Sequence, residues 1–96
     1  MKLRITHVAQ SDLRQIERYS IQHWGPQVGF AYSDRLRLVL GQLVRAEISS
    51  QGADYVSPGL RKQVAASHVI WFRIQGDNLL VVRVLHQSRD VGPVVG

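Results

Sequence analysis

A two-layer α+β domain is predicted by a change of hydrophobic period along the chain. From about residue 9 to residue 47 apolar side chains recur every three or four positions, and beyond residue 60 they recur every second position. A Gly25-Pro26 pair divides the helical stretch in two. The expected order is β-α-α-β-β-β: an antiparallel sheet of three to four strands with an N-terminal helical hairpin packed on one face. At 96 residues the chain has room for one domain, residues 1–96.

Residues 2–8 read as a short strand, with Leu3, Ile5 and His7 alternating against Lys2, Arg4 and Thr6. In the first helix Ala9, Leu13, Ile16, Ser20 and Trp24 share one face, and Gln10, Asp12, Arg14, Gln15, Glu17 and Arg18 fall mostly on the other. Thr6 or Ser11 is the expected cap. Gly25 suits a left-handed helix end, and Pro26 suits the first turn of a second helix. That helix, residues 26–47, carries an apolar stripe of Val28, Tyr32, Leu36, Val39, Leu40, Leu43 and Val44. Gly29 and Gly41 weaken it by about 1 kcal/mol each relative to alanine, unless they admit close approach of a neighbour. The short link predicts an antiparallel pair.

Turn-forming residues fill positions 48–59, after which strands are expected at 60–64, 68–74 and 79–86. The last should be central, because it is apolar on both sides. The tail from Gln87, containing Gly92-Pro93, is expected to be irregular or a short edge strand. Register depends on the turn between the last two strands. An odd loop sets His68, Ile70, Phe72 and Ile74 against His86, Val84, Val82 and Leu80; an even loop sends the two histidines to opposite faces. In the odd register Trp71 shares a face with Val69, Arg73, Val81, Arg83 and Leu85. An aromatic flanked by arginines is either a binding hot spot or stacking platform, or a tryptophan packed under the helices.

Composition narrows the function. The absence of cysteine removes disulfides and thiolate zinc sites. The N-terminus is basic but lacks the apolar run of a signal peptide, and no segment approaches the ~18 apolar residues of a membrane span. A cytoplasmic protein with no membrane association is expected. The net charge of +5 has two readings, a solubility charge or attraction to an acidic partner. Arginine supplies 10 of the 12 basic groups, and its planar fork suits carboxylate or phosphate. Without a polybasic tail, sequence-specific nucleic-acid binding by this chain alone is not expected.

Catalytic signals are sparse. The histidines are His7, His23, His68 and His86, none at helical i, i+4 spacing. His68 and His86 without a carboxylate make a poor metal site, so neither metal nor cofactor is expected. Ser67-His68 are neighbours on a strand and point apart. RNA cleavage would need a base, an acid and cations. Arg61, Lys62, Arg73, Arg83 and Arg89 offer the cations, and His86 the proton transfer. Each also has a structural reading, as a strand arginine on a solvated face or a hydrogen-bonded core histidine. Beyond Glu47 the only carboxylates are Asp54, Asp77 and Asp90, and no tyrosine follows Tyr55.

Taken in order, several segments resemble the ParE/RelE toxin superfamily, and its ParE branch more closely, from about Ile5 to Asp90. They are Ala9, Asp12-Leu13, Ile16, Tyr19 and Trp24-Gly25; Ala31, Tyr32 and Leu36; Pro58-Gly59-Leu60-Arg61; and His68-Val69-Ile70-Trp71-Phe72-Arg73 with Arg83-Val84-Leu85-His86 and Arg89-Asp90. The resemblance implies the toxin of a type II toxin–antitoxin system, of the kind associated with plasmid stabilization. Its partner would be a small antitoxin, typically of the ribbon-helix-helix type, with a flexible tail that wraps the toxin. ParE-like members poison DNA gyrase; RelE-like members cut messenger RNA on the ribosome. RelE-like enzymes tend to use lysine-rich segments, paired arginines and a C-terminal tyrosine. Here lysine occurs only at Lys2 and Lys62, that tyrosine is absent, and Phe72 stands where many relatives have tyrosine. The expectation is a gyrase inhibitor without catalytic residues, with Arg61, Trp71, Arg73, Arg83, His86 and Arg89 as target- or antitoxin-binding residues. The alternatives are a ribosome-dependent nuclease using Arg61, Arg73, Arg83 and His86, or an inactive homologue that only binds antitoxin.

Overall fold

The computed structural model describes residues 1–92. Strand β1 (Lys2–Ile5) leads into a long helical element, α1 (His7–Val44). Strands β2 (Gln51–Gly52), β3 (Arg61–Ala65), β4 (His68–Gln75) and β5 (Asn78–His86) follow. They form one five-stranded sheet in the order β1-β5-β4-β3-β2. β5 is interior, as its apolar character on both faces predicts.

The sheet is mixed rather than antiparallel, because β1 runs parallel to β5 from Lys2↔Asn78 to Ile5↔Val81. Nothing local in a four-residue strand encodes that orientation; it follows from where α1 must lie. β2 was not anticipated, since Gln51-Gly52 carries turn chemistry and no alternation. It pairs with β3 over two residues only. The expected boundaries elsewhere shift by a few residues, and the second helical segment ends at Val44 rather than Glu47. No strand forms over residues 87–92; the expectation for residues 93–96 lies outside the described chain.

The predicted hairpin is present as a break within α1. Gly25 has φ 86° and ψ 165°, a region open essentially to glycine alone, and Pro26 starts the second arm. The arms then touch. A Cβ on buried Gly29 would lie 2.6 Å from both the backbone nitrogen and the Cγ1 of Ile21, so only glycine fits the crossing. Glu17 and Arg37 meet across the arms at 3.5 Å, an exposed pair worth little on its own. Gly41 has no such role, because its Cβ would meet only the guanidinium of Arg45.

Both faces of the sheet are covered. Ala9, Leu36, Leu40 and Leu43 from α1 pack on Ala65, Ile70, Phe72, Leu79, Val81 and Val84. On the opposite face Trp71 and Leu85 pack with Ala53 and Leu60 beneath the 53–60 loop. Phe72 is thus wholly within the helix-side core.

The last hairpin departs from both registers considered. Its turn is an even, two-residue one, Gly76-Asp77, with Gly76 at φ 59°. A bulge then adds one residue to β5: Trp71 faces Arg83, but Phe72 faces Val81, and Val82 is the extra residue. Next to the turn Ile74 therefore faces Leu79 instead of Leu80, while beyond the bulge His68 still faces His86.

The glycines give a graded test by urea denaturation. Gly25→Ala should cost about 1–3 kcal/mol from backbone strain, since open space surrounds its Cβ. Gly29→Ala should cost about as much from forcing the arms apart. Gly41→Ala should be neutral or stabilise by up to ~1 kcal/mol. Equal effects at Gly29 and Gly41 would contradict the close crossing.

Candidate functional site

The first arm of α1 is fastened to β5 where β1 stops. At the bulge two successive carbonyls turn toward the β1 edge, and Thr6 takes both. Its N–H donates to the oxygen of Val81 at 3.1 Å and its hydroxyl to that of Val82 at 3.1 Å. The same hydroxyl oxygen caps α1 by accepting from the N–H of Ala9. One turn and a half further on, the buried carboxylate of Asp12 accepts from the N–H of Val84 at 3.0 Å. It also accepts from Nε and Nη2 of Arg83 at 2.7 and 3.0 Å. Side chains of α1 thus satisfy the strand edge that β1 leaves open.

This docking sets the next turns of α1 above the ends of β4 and β5, where a cleft of about 720 Å³ opens. The first arm contributes Gln15, Ile16, Tyr19, Ser20 and Trp24, and the second arm Tyr32. Ser67 and His68 come from the start of β4, His86 from the end of β5, and Arg89 from the segment after it. The Tyr32 hydroxyl lies 2.6 Å from Nδ1 of His68 and accepts the N–H of Ser67 at 3.1 Å. Burial, and secondarily the neighbouring His86, hold the His68 imidazole below its ordinary pKa. The neutral form of His68 is therefore favoured near pH 7, with Nδ1 engaged by the Tyr32 hydroxyl and Nε2 as the second hydrogen-bonding nitrogen. The rings of His68 and His86 meet edge to face, 5.4 Å between centroids. Nδ1 of His86 accepts from the N–H of Ser88, which leaves Nε2 as the protonated nitrogen.

Beside the imidazoles stands an exposed aromatic shelf. Tyr19 and His23 stack 3.8 Å apart at 22°, and Trp24 meets Tyr19 edge-on at 6.0 Å. Tyr19 and Trp24 are 54% and 57% exposed. The apolar face of the first arm therefore runs out before its last turn, since Ala9 and Ser20 are buried but Trp24 overhangs into solvent. Among the described residues no three side chains of the metal-ligating kinds converge.

A family model described as the ParE toxin of the type II toxin–antitoxin system parDE matches residues 3–91. The chain belongs to the ParE toxin family. Its relatives include Toxin ParE1 of Caulobacter vibrioides, 29% identical over 93 residues that span 97% of this chain and 96% of that one. Toxin ParE1 of Mycobacterium tuberculosis is 31% identical over 88 residues, 91% of this chain and 90% of that one. Among solved structures, a chain of the chromosomal ParDE system from P. aeruginosa superposes with a TM-score of 0.77 at 20% identity, over 90% of this chain and 95% of that one. A YafQ mutant from E. coli superposes at 0.65 with 11% identity, over 91% and 93% of the two chains. These two likenesses concern the fold.

In this ParE-family chain the residues singled out from sequence do not form one site. Arg61 donates to the hydroxyl and carbonyl of Ser50, both at 2.8 Å. Arg73 donates to the carbonyl of Pro58 at 2.6 Å and the hydroxyl of Ser57 at 2.8 Å. Arg83 is engaged by Asp12. Each of the three bonds to a distant segment, and none lines the cleft that holds His86. Trp71 is 6% exposed, buried under the 53–60 loop rather than under the helices. His86 and Arg89 are exposed and adjoin the cleft. Sequence reasoning missed Tyr32, assigned to the helical core stripe, and the Tyr19–His23–Trp24 shelf. The available signal was three aromatic rings within six residues, immediately before Gly25-Pro26.

Because Asp12 serves two partners and Arg83 one, their replacements should differ. Asp12→Ala should cost about 3 kcal/mol by leaving Arg83 and the Val84 N–H unpaired. Arg83→Met should cost about half as much, since the Val84 bond survives. Urea titration of both variants checks the order, and the reverse ranking would contradict the dual role.

Proposed function

We propose that this ParE-family toxin disables DNA gyrase by binding it, without bond-making chemistry of its own, and that a small antitoxin neutralises it. The observation that carries this reading is the engagement of Arg61, Arg73 and Arg83. The cations a ribonuclease would aim at a phosphorane are spent on Ser50, on Pro58 and Ser57, and on Asp12. A group that must surrender internal hydrogen bonds before it can stabilise a transition state is poorly preorganised for the task. Family membership adds the antitoxin. A toxin with a net charge of +5 suits a partner whose acidic and apolar tail orders on binding, joined to a ribbon-helix-helix half. Of the six partner-binding residues expected from sequence, His86 and Arg89 are exposed and free to meet a partner directly. Arg61, Arg73 and Arg83 act chiefly by shaping the surface, and Trp71 by supporting the loop above it. The chain works in the cytoplasm, where its target lies.

Purified gyrase should lose supercoiling activity, or accumulate cleaved DNA, when the folded toxin is added in excess, while messenger RNA in a parallel translation reaction stays intact. Normal supercoiling together with message cut in a His86-dependent way would replace this reading with the ribosome-dependent nuclease. Normal supercoiling with intact message, and no growth defect on induction, would leave an antitoxin-binding module only.

A further inference from the structure

We propose that the cleft between the aromatic shelf and the His68–His86 pair is a nucleotide-binding site, which stacks a base on the exposed ring of Trp24 and holds its phosphate against His86, His68 and Arg89. This goes beyond gyrase inhibition and does not depend on it.

Charge is the first support. The lining of the cleft contains two imidazoles and one guanidinium but no carboxylate. The groups facing His68 are Tyr32 from the second arm of α1 and His86 from β5, with Arg89 nearby on the segment that follows. Among the described residues nothing anionic lines the cleft beside the pair, so an incoming phosphate meets no competitor there. Both rings spend Nδ1 inside the protein, on Tyr32 and on Ser88. Each keeps Nε2 as its second ring nitrogen, which donates to a phosphate oxygen when it carries the proton.

The shelf is the second support. Tyr19 and His23 already form a parallel stack, and Trp24 stands exposed beside it. Open ring faces next to phosphate donors suit a planar base, because stacking tolerates any base identity. The carboxylates of an acidic peptide could meet the same cations but would leave the ring of Trp24 without a stacking partner. The cleft volume of about 720 Å³ matches the ~300–1,000 Å³ of small-ligand sites.

Acid should strengthen the site. His68 is held neutral by burial and by its neighbour, whereas a bound phosphate favours the charged ring. Binding therefore takes up a proton and tightens as pH falls.

The two tryptophans make the test direct, because Trp24 is exposed and Trp71 is buried. Uridine 5′-monophosphate, a thymidine decamer, inorganic phosphate and a glutamate decapeptide are titrated at pH 6.0. Emission of Trp24 is followed for the wild-type chain, and calorimetry is used for variants. Saturable quenching by the two nucleotide probes is expected, and much weaker binding of phosphate alone. Comparable affinities of monophosphate and decamer mark a free-nucleotide site; a decamer that binds much more tightly marks a single strand. Trp24→Ala and His86→Gln, both at exposed positions, should each weaken binding about fivefold or more. The decamer, whose backbone charge is constant, should bind more weakly at pH 7.5 than at pH 5.5. The proposal is overturned if neither nucleotide saturates, if the peptide alone binds, or if binding is unchanged in both variants.

Discussion

The fold depends on one buried carboxylate standing in for a strand. β1 stops at Ile5, opposite Val81, while β5 continues for five more residues. Beyond that point the open edge of an interior strand would expose backbone donors and acceptors that burial makes costly. Thr6 and Asp12 remove the problem from the helix side, through Val81, Val82, Val84 and Arg83. The same bonds fix where α1 begins and at what angle it crosses the sheet. The second arm follows from the first, because Gly25 sets the reversal and Gly29 sets the spacing.

From that docking comes a division of the molecule. On one side of the sheet the helices bury the main core, and their overhanging tip makes the cleft. On the other, Trp71 and Leu85 sit beneath a loop held down by Arg73, while Arg61 ties the chain ahead of β2 to β3. Arginine suits this work, since its fork can satisfy a hydroxyl and a carbonyl at once without losing its charge. A set of arginines that resembles catalytic cations in the sequence is thus the means by which a 96-residue chain holds long loops in place. The aromatic tip, the imidazole pair and Arg89 adjoin one cleft away from these arginine ties.

Much of this was legible from the residues. The period change located helices and strands, Gly25-Pro26 located the reversal, and the doubly apolar run at 79–86 identified the interior strand. What escaped notice was set by tertiary context. A four-residue strand does not encode parallel pairing with a partner more than seventy residues away. The bulge at Val82 changes the register count in the middle of a regular apolar run, where alternation alone gives no warning. Asp12 looked like a residue of the solvent face of a helix, because its partners Arg83 and Val84 lie about seventy positions further on. Tyr32 reads as core by spacing, and its hydroxyl gains meaning only once His68 is placed beside it.

Amide hydrogen exchange at Val84, followed residue by residue by NMR, tests the stand-in carboxylate most directly. The account predicts protection of the Val84 N–H comparable to that of the interior amides of β4 and β5, so that it opens only with global unfolding. Exchange of Val84 at the rate of a frayed strand edge, with the rest of β5 still protected, would contradict it.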